Sequence, residues 1–179
     1  MRKYIRMWMW GVLLLVILAG CGAQEIENRL DWEIADFNYI NQDGQQIGLS
    51  DLKGKVWLAD FIFTSCETAC PPMTIHMSQL QKKFKEEGLD VTIVSFSVDP
   101  EVDTPEKLKA FAQEYGADLT NWYFLTGYTQ EEIESFAQES FKATVFKPED
   151  SDQVVHVTSF YLVDKEGKIV TYYQGLQDT

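Results

Sequence analysis

Apolar runs along the chain predict the strands of a sheet. Val56–Phe63 and Val91–Val98 are near-continuous apolar stretches of strand length, which are typical of central strands covered on both faces. Shorter runs at Trp122–Leu125, Val154–Val163 and Lys168–Tyr173 predict three further strands, and a polar turn joins the last two into a hairpin.

Three helices are predicted between these strands. The first begins at Pro71-Pro72 and follows Cys70 directly, because proline suits the first turn of a helix and disfavours helical geometry in the residue before it. The second and third, Pro105–Tyr115 and Gln130–Ser140, each follow a threonine that can cap the first turn. The first helix has an apolar stripe at helical spacing, made of Met73, Met77, Leu80 and Phe84.

A further hairpin is predicted near the start of the folded region. Asp36–Ile40 reads as a strand, and Asn41–Gly44 supplies residue types that tolerate the backbone angles of a tight turn. Strands and helices then alternate, with an antiparallel edge. This order predicts an α/β sandwich, in which a central mixed sheet is flanked by helices and preceded by an N-terminal hairpin.

The first twenty residues have the pattern of a secretory signal. Three basic side chains within residues 1–6 precede an apolar run from Met7 to Ala19, which is short for a membrane-spanning helix. The small residues before Cys21 resemble the lipobox of bacterial lipoproteins, in which the cysteine is alkylated by diacylglycerol and the preceding peptide is removed. An uncleaved N-terminal helix is the alternative.

These features predict how the chain is organised. Residues 1–20 are expected to be a lipoprotein signal peptide, residues 21–31 a lipidated Cys21 with a polar spacer, and residues 32–179 the folded domain. Two acyl chains suffice for stable anchoring where one is marginal. The domain is therefore expected at the outer face of the bacterial cytoplasmic membrane, held by lipid.

The charge of the chain excludes one class of partner. The whole sequence has 15 basic and 28 acidic side chains and a formal charge of −13. Removal of residues 1–20 takes away three basic side chains and no acidic one, so the formal charge becomes −16. Nucleic acid is excluded as a partner because its phosphates would be repelled.

Cys66 and Cys70 are the main candidates for chemistry. They lie just beyond the C-terminal end of the Val56–Phe63 strand, where open α/β sheets place their ligands, and at the start of a helix, which stabilises thiolate. If Cys21 is lipidated, they remain as a pair without an odd thiol. Soft thiolate ligands favour Cu(I), zinc or iron–sulfur clusters, but the same pair can cycle between dithiol and disulfide.

His156 is the candidate third ligand. If the strand that contains it pairs beside Val56–Phe63, its N-terminal end can face the cysteine loop. Imidazole is compatible with copper or zinc, whereas an isolated histidine with apolar neighbours is more often structural. The pattern of residues alone leaves both roles open.

Three segments of the chain resemble the Sco/SenC family. They are Phe63-Thr64-Ser65-Cys66-Glu67-Thr68-Ala69-Cys70-Pro71, then Ser95-Phe96-Ser97-Val98-Asp99-Pro100-Glu101 with Asp103-Thr104, and finally His156 before Phe160-Tyr161-Leu162. The resemblance covers residues 32–175 and implies a thioredoxin-like fold, with Cu(I) or Cu(II) bound by Cys66, Cys70 and His156. It also implies service in assembling the binuclear copper site of cytochrome c oxidase, with oxidase subunit II as the partner.

One departure from the family concerns the C-terminus. The family usually continues into a closing helix that covers one face of the sheet, whereas this sequence stops at Thr179. Either the chain is a fragment or that helix is absent, and exposed apolar sheet surface is the expected consequence.

Several alternatives to a copper carrier remain. Cys66 and Cys70 could form the redox pair of a thiol–disulfide oxidoreductase that reduces the cysteines of the oxidase copper site, with a thioredoxin-like protein as its own reductant. Three residues between the cysteines, where thioredoxin relatives have two, and the lack of a proline next to His156 favour the metal role. A peroxiredoxin lacks an identifiable activating arginine here, and zinc stays open because two cysteines and a histidine form a known zinc set.

Other polar and sulfur-containing residues are expected to be structural. His76 lies off the apolar stripe of its helix and is expected to face solvent, while Met73 and Met77 are expected in the core. Asp60, within an apolar strand, must be hydrogen-bonded or have a raised pKa. Turn formation and helix capping explain Asp99 and Asp103.

Overall fold

The computed structural model describes residue 26 and residues 28–176. Within this part of the chain, strands and helices follow one another in the predicted alternation. The strands are β1 (Trp32–Glu33), β2 (Asn38–Asn41), β3 (Gln46–Gly48), β4 (Val56–Ile62), β5 (Val91–Ser97), β6 (Trp122–Thr126), β7 (Val145–Phe146), β8 (Val155–His156), β9 (Ser159–Val163) and β10 (Lys168–Gln174). The helices are α1 (Leu49–Leu52), α2 (Cys70–Glu86), α3 (Pro105–Glu114) and α4 (Gln130–Phe141).

A mixed sheet of eight strands forms the centre of the described region, in the order β1-β10-β9-β4-β5-β6-β2-β3. β4 and β5 run parallel, from Val56 opposite Val91 to Ile62 opposite Ser97, and β6 extends the parallel part. β9 lies antiparallel on the other side of β4. The continuous apolar runs are thus central strands covered on both faces, as predicted, since every residue of β5 and every residue of β4 after Val56 is buried.

The helices begin where the sequence signals place them, with one shift. Thr104 accepts a hydrogen bond from the Lys107 amide, and Thr129 forms a capping box with Glu132. α2, however, includes Cys70, which was predicted to precede it. The shift arises because the Met73 amide donates to the Ala69 carbonyl at 3.2 Å, which closes the first helical turn around Cys70.

The predicted strand Val154–Val163 is two separate strands. β8 leaves the main sheet and pairs antiparallel with β7 in a two-stranded sheet of its own, while β9 begins at Ser159 and pairs with β10 and β4. The Gly175 amide donates to the Thr158 carbonyl at 2.7 Å where the β9–β10 ladder ends. Apolar and β-branched residues continue across the break, so composition alone does not reveal it. The prediction that His156 belongs to the strand beside β4 is therefore wrong.

A cluster of aromatic side chains packs α4 against the sheet. Phe61 and Phe96 on adjacent central strands contact Phe141, with ring centroids 5.2 and 5.8 Å apart, and Phe136 lies 5.2 Å from Phe96. Most of these rings meet edge to face, the favoured geometry for aromatic pairs. Because the cluster fixes β4, it also fixes the loop that leaves the end of this strand.

Two predictions about the ends of the chain cannot be compared with this structure. Cys21 and residues 1–20 lie outside the described residues, as do residues 177–179. The described helices include none that is both long and apolar enough to cross a bilayer.

Candidate metal centre

Cys66 lies in the segment that connects β4 to α2, and Cys70 is the first residue of α2. We call residues 63–70 the sulfur loop. Cys66 is 7% exposed and Cys70 is fully buried, and both carry free thiols. The Cys70 amide donates to Cys66 Sγ at 3.3 Å, so the sulfur of Cys66 accepts one of the unpaired amides at the start of α2. The helix start thus supplies the polar partner that a buried thiolate needs.

The two thiols share one proton unequally. The hydrogen bond from the Cys70 side chain lowers the pKa of Cys66 well below its ordinary value, and His156 and the Cys70 and Thr68 amides lower it further, against the opposing effect of burial. The negative Cys66 sulfur and burial raise the pKa of Cys70. These opposite shifts favour a thiolate at Cys66 and a thiol at Cys70, and the thiolate is the form that binds metal and attacks disulfides.

His156 reaches the sulfurs from the two-stranded sheet. Its Nε2 lies 3.5 Å from Cys70 Sγ, and its Nδ1 donates to the Val157 carbonyl at 2.8 Å. Because a carbonyl only accepts, Nδ1 must carry a proton, and this bond leaves Nε2 as the ring nitrogen that faces the sulfurs. The buried Phe63 ring lies edge to face with the imidazole, with centroids 5.6 Å apart, and so restricts its rotation.

The three candidate ligand atoms form a compact cluster. Cys66 Sγ, Cys70 Sγ and one ring nitrogen of His156 all lie within 4.8 Å of one another. Two sulfurs and an imidazole suit Cu(I) or zinc and not the hard ions calcium and magnesium. The residues that the sequence singled out for metal chemistry are thus together in space, although His156 arrives on a different strand from the one expected.

Asp103 secures the sulfur loop from behind. Its fully buried carboxylate accepts from the amide and hydroxyl of Thr64 and from the hydroxyl of Ser97. Burial raises the pKa of Asp103, and these hydrogen bonds oppose the rise. Helix capping, the role expected for this acid, belongs to Thr104 instead. Thr64 lies two positions before Cys66, so Asp103 holds the backbone that carries the first sulfur.

Asp99, the other acid of this turn, is buried and forms an ion pair with Lys147 at 2.7 Å. Nothing in the sequence singles out Lys147. No local pattern could have revealed it, because its partner lies 48 positions earlier in the chain.

Asp60 is fully buried on β4, and neither of its carboxylate oxygens has a hydrogen-bond partner within the described structure. Burial raises its pKa to about 7, while Ser95 and the His156 ring lower it to a smaller extent. The expected alternative of a raised pKa is therefore the correct one.

The other candidates have structural roles. His76 is half-buried, and its Nδ1 hydrogen-bonds to the Gly175 carbonyl at 2.8 Å, just beyond the end of β10. The prediction that it faces solvent is therefore only partly correct. Met73 and Met77 are fully buried in the core, which confirms their expected role.

Comparison with known proteins reveals extensive similarity. A family model described as SCO1/SenC matches residues 27–179. The SCO1 protein homolog of Bacillus subtilis (strain 168) is 56% identical over 167 residues, which cover 93% of this chain and 86% of that protein. The similarity includes nearly the whole length of both proteins.

Solved structures match the fold as well. A SCO1/SenC family lipoprotein from Bacillus anthracis str. Ames has a TM-score of 0.84 and 52% identity, over 87% of this chain and 92% of that chain. BsSco, a member of the Sco family of cytochrome c oxidase assembly proteins in which a disulfide switch is identified, has a TM-score of 0.81 and 58% identity, over 87% and 91%. Arabidopsis thaliana ScoI with copper bound has a TM-score of 0.70 and 32% identity, over 80% and 89%. These matches confirm the predicted thioredoxin-like α/β fold.

Proposed function

We propose, because the chain belongs to the SCO1/SenC family, that it carries copper to the binuclear copper site of cytochrome c oxidase, on oxidase subunit II. The cargo ion is held by Cys66, Cys70 and His156. The observation that carries the proposal is the cluster of three ligand atoms within 4.8 Å of one another. Copper in the Arabidopsis relative and oxidase assembly in BsSco support it.

The ligand set suits transfer of copper. Two sulfurs and one imidazole bind Cu(I) firmly but leave its coordination shell open, so that a thiolate or imidazole of the acceptor can enter before the donor's ligands leave. The hydrogen bonds that lower the pKa of Cys66 favour its thiolate before the metal arrives, and Nε2 of His156 already faces the sulfurs. Copper can then pass between proteins without becoming a free ion.

Oxidation is proposed to control loading. A disulfide between Cys66 and Cys70 consumes both thiolates, so the oxidised protein is expected to take up no copper until it is reduced. The disulfide switch of BsSco supports this form of control.

The location of the protein is proposed from its first residues. Cleavage before Cys21 and lipidation of its thiol place the domain at the outer face of the cytoplasmic membrane. The lipobox-like sequence and the lipoprotein nature of the Bacillus anthracis relative support this proposal.

Copper titration of the reduced full-length chain in detergent tests the main proposal. The chain has two histidines, so His76→Ala is a matched control for His156→Ala. We expect His156→Ala to weaken Cu(I) binding, measured by chelator competition, by more than the ~10–100-fold that is typical for loss of an outer-shell partner. His76→Ala should change it by about twofold or less. Equal affinities for the two variants would exclude His156 as a ligand.

A second function is favoured by the lowered pKa of Cys66, because a thiolate is a nucleophile as well as a metal ligand. In this role the protein reduces the cysteines of the oxidase copper site. His156→Ala separates the two functions: it should leave reduction of a protein disulfide largely intact while copper binding falls. Loss of disulfide reduction with unchanged copper binding would favour the oxidoreductase.

A further inference from the structure

His156 is attached to a part of the molecule with few backbone contacts. We call residues 145–156, which comprise β7, β8 and the loop between them, the histidine ribbon. Its two strands share two residue pairs, Val145 opposite His156 and Phe146 opposite Val155. Phe146 and Val155 are 53% and 56% exposed. Such a short ladder defines the position of its residues weakly, so other contacts must fix where the ribbon lies.

A shielded ion pair between Asp99 and Lys147 joins the histidine ribbon to the turn that follows β5. Lys147 Nζ lies 2.7 Å from Asp99 Oδ1, and the two side chains are 19% and 2% exposed. The pair is therefore shielded from the solvent that weakens surface ion pairs. Lys147 directly follows β7, and the neighbouring Val145 faces His156 across the ladder. Holding Lys147 thus holds the strand that pairs with the histidine.

The same turn also holds the sulfur loop. Asp99 follows β5, and its carbonyl accepts from the Asp103 amide at 2.9 Å. The Ser97 hydroxyl accepts from the Asp99 amide and donates to Asp103, and Asp103 in turn binds Thr64. One short turn is consequently bonded to both sides of the metal centre, to the sulfurs through Asp103 and to the histidine ribbon through Asp99.

We propose that Asp99 and Lys147 are positioning residues for copper, because their ion pair holds the histidine ribbon where His156 can join the two sulfurs. The inference rests on the proposed function and deepens it. Neither side chain belongs to the ligand cluster, and both act through His156. Breaking the pair leaves all three ligands in the chain but removes the contact that keeps the imidazole beside Cys70.

The sign of the expected effect distinguishes positioning from simple electrostatics. Lys147 is a cation near a site for a cation, so its charge alone opposes copper binding. If charge were its only influence, Lys147→Met would strengthen binding. If it positions the histidine ribbon, the same substitution weakens binding, because part of the binding energy is spent on ordering the ribbon.

The test measures Cu(I) affinity of the reduced full-length chain by chelator competition. We expect Lys147→Met to weaken binding about 10–100-fold, the range for loss of an outer-shell partner, and Lys147→Arg to restore most of it. Lys109→Met is the matched control, since it removes the same charge and an exposed ion pair of similar length with Asp43. It should leave the affinity unchanged.

A double-mutant cycle then shows whether Lys147 acts through the histidine. In the His156→Ala background, Lys147→Met should cause no further loss. An equal loss in both backgrounds would overturn the inference, because the effect would then come from the sulfurs or from general destabilisation. Asp99→Asn with Lys147→Met controls for the buried charge left by the single change, and must weaken binding as Lys147→Met does.

The cycle also separates this inference from the proposed function. If His156→Ala itself does not weaken copper binding, the proposed ligand set is wrong. If His156→Ala weakens binding and Lys147→Met does not, only the positioning role is wrong. Thermal unfolding of each copper-free variant confirms that the protein folds.

Discussion

The sulfur loop and the histidine ribbon approach the same point but are held in different ways. The sulfur loop leaves a central strand buried on both faces and enters a 17-residue helix. The histidine ribbon has two residue pairs of its own. Outside them it is held by the buried Val145 and Val154, by the Lys147 ion pair, and by hydrogen bonds from the Lys147 amide to Glu134 and from Gln153 to the Ser65 carbonyl. The two cysteines thus lie in the more firmly held region, and His156 lies in the more lightly held one.

This difference suits a site that must both bind and release. Local opening is easiest where few apolar contacts are buried and backbone hydrogen bonds are exposed. We expect the imidazole to leave the cluster more easily than the sulfurs, because Cys66 and Cys70 are buried in the core. Of the three candidate ligands, His156 is therefore the one we expect to move most easily.

The largest expected contrast between the two regions is in packing. Met73 lies about one helical turn after Cys70 on α2 and is fully buried. Met73→Ala should therefore lower the free energy of unfolding by about 2–5 kcal/mol. Phe146→Ala in the histidine ribbon, where the ring is 53% exposed, should change it by about 0.5 kcal/mol or less. Urea unfolding of the reduced protein measures both. Similar losses for the two variants would mean that the histidine ribbon is as firmly packed as the helix that follows the sulfur loop.

A second contrast concerns pH. Asp60 lies on β4 with a folded-state pKa of about 7, above the ordinary value of 3.8. The folded protein therefore binds more protons than the unfolded chain between these values. The contribution of Asp60 to the free energy of unfolding is fully present below pH about 4 and is lost as pH rises through 7. The change is up to about 4 kcal/mol.

Asp60→Asn tests that pH dependence. The variant should be more stable than the wild type at pH 8, and the difference should shrink as pH falls towards 4. Urea unfolding across this range measures it. A difference between variant and wild type that does not vary with pH would show that Asp60 is already ionised in the folded protein at low pH.

The smallest expected effect concerns the hydrogen bonds behind the sulfur loop. Thr64→Val removes a hydroxyl that donates to the buried Asp103 and should cost about 1.5–3 kcal/mol, the range for bonds to charged groups. Thr120→Val removes a comparable bond to Asp118 at an exposed site and should cost about 0.5 kcal/mol or less. Thermal unfolding compares them, and equal losses would contradict a special role for Asp103 in holding the loop.

The rigid side of the metal centre can be predicted from sequence because its determinants are local. The apolar run of β4, the prolines of α2 and the cysteines between them follow one another within a few residues. The pKa of Cys66 depends on the helix start and on neighbours that the same short segment largely supplies. Local signals of this kind survive without knowledge of tertiary contacts.

The setting of His156 in the histidine ribbon cannot be predicted in the same way. Nothing in the run from Val154 to Val163 indicates that the chain changes sheets after His156, because both halves have strand composition. The partner strand β7 has two residues, too few for a periodic signal. The Asp99–Lys147 pair joins residues 48 positions apart, and such pairings depend on topology. Resemblance to a family identified the histidine; its setting required the structure.

The bond from His156 Nδ1 to the Val157 carbonyl ties the ring to the residue that follows it. The hydrogen bond that orients the imidazole therefore does not depend on a distant part of the chain. A displacement of the ring therefore need not change which nitrogen it presents to the sulfurs.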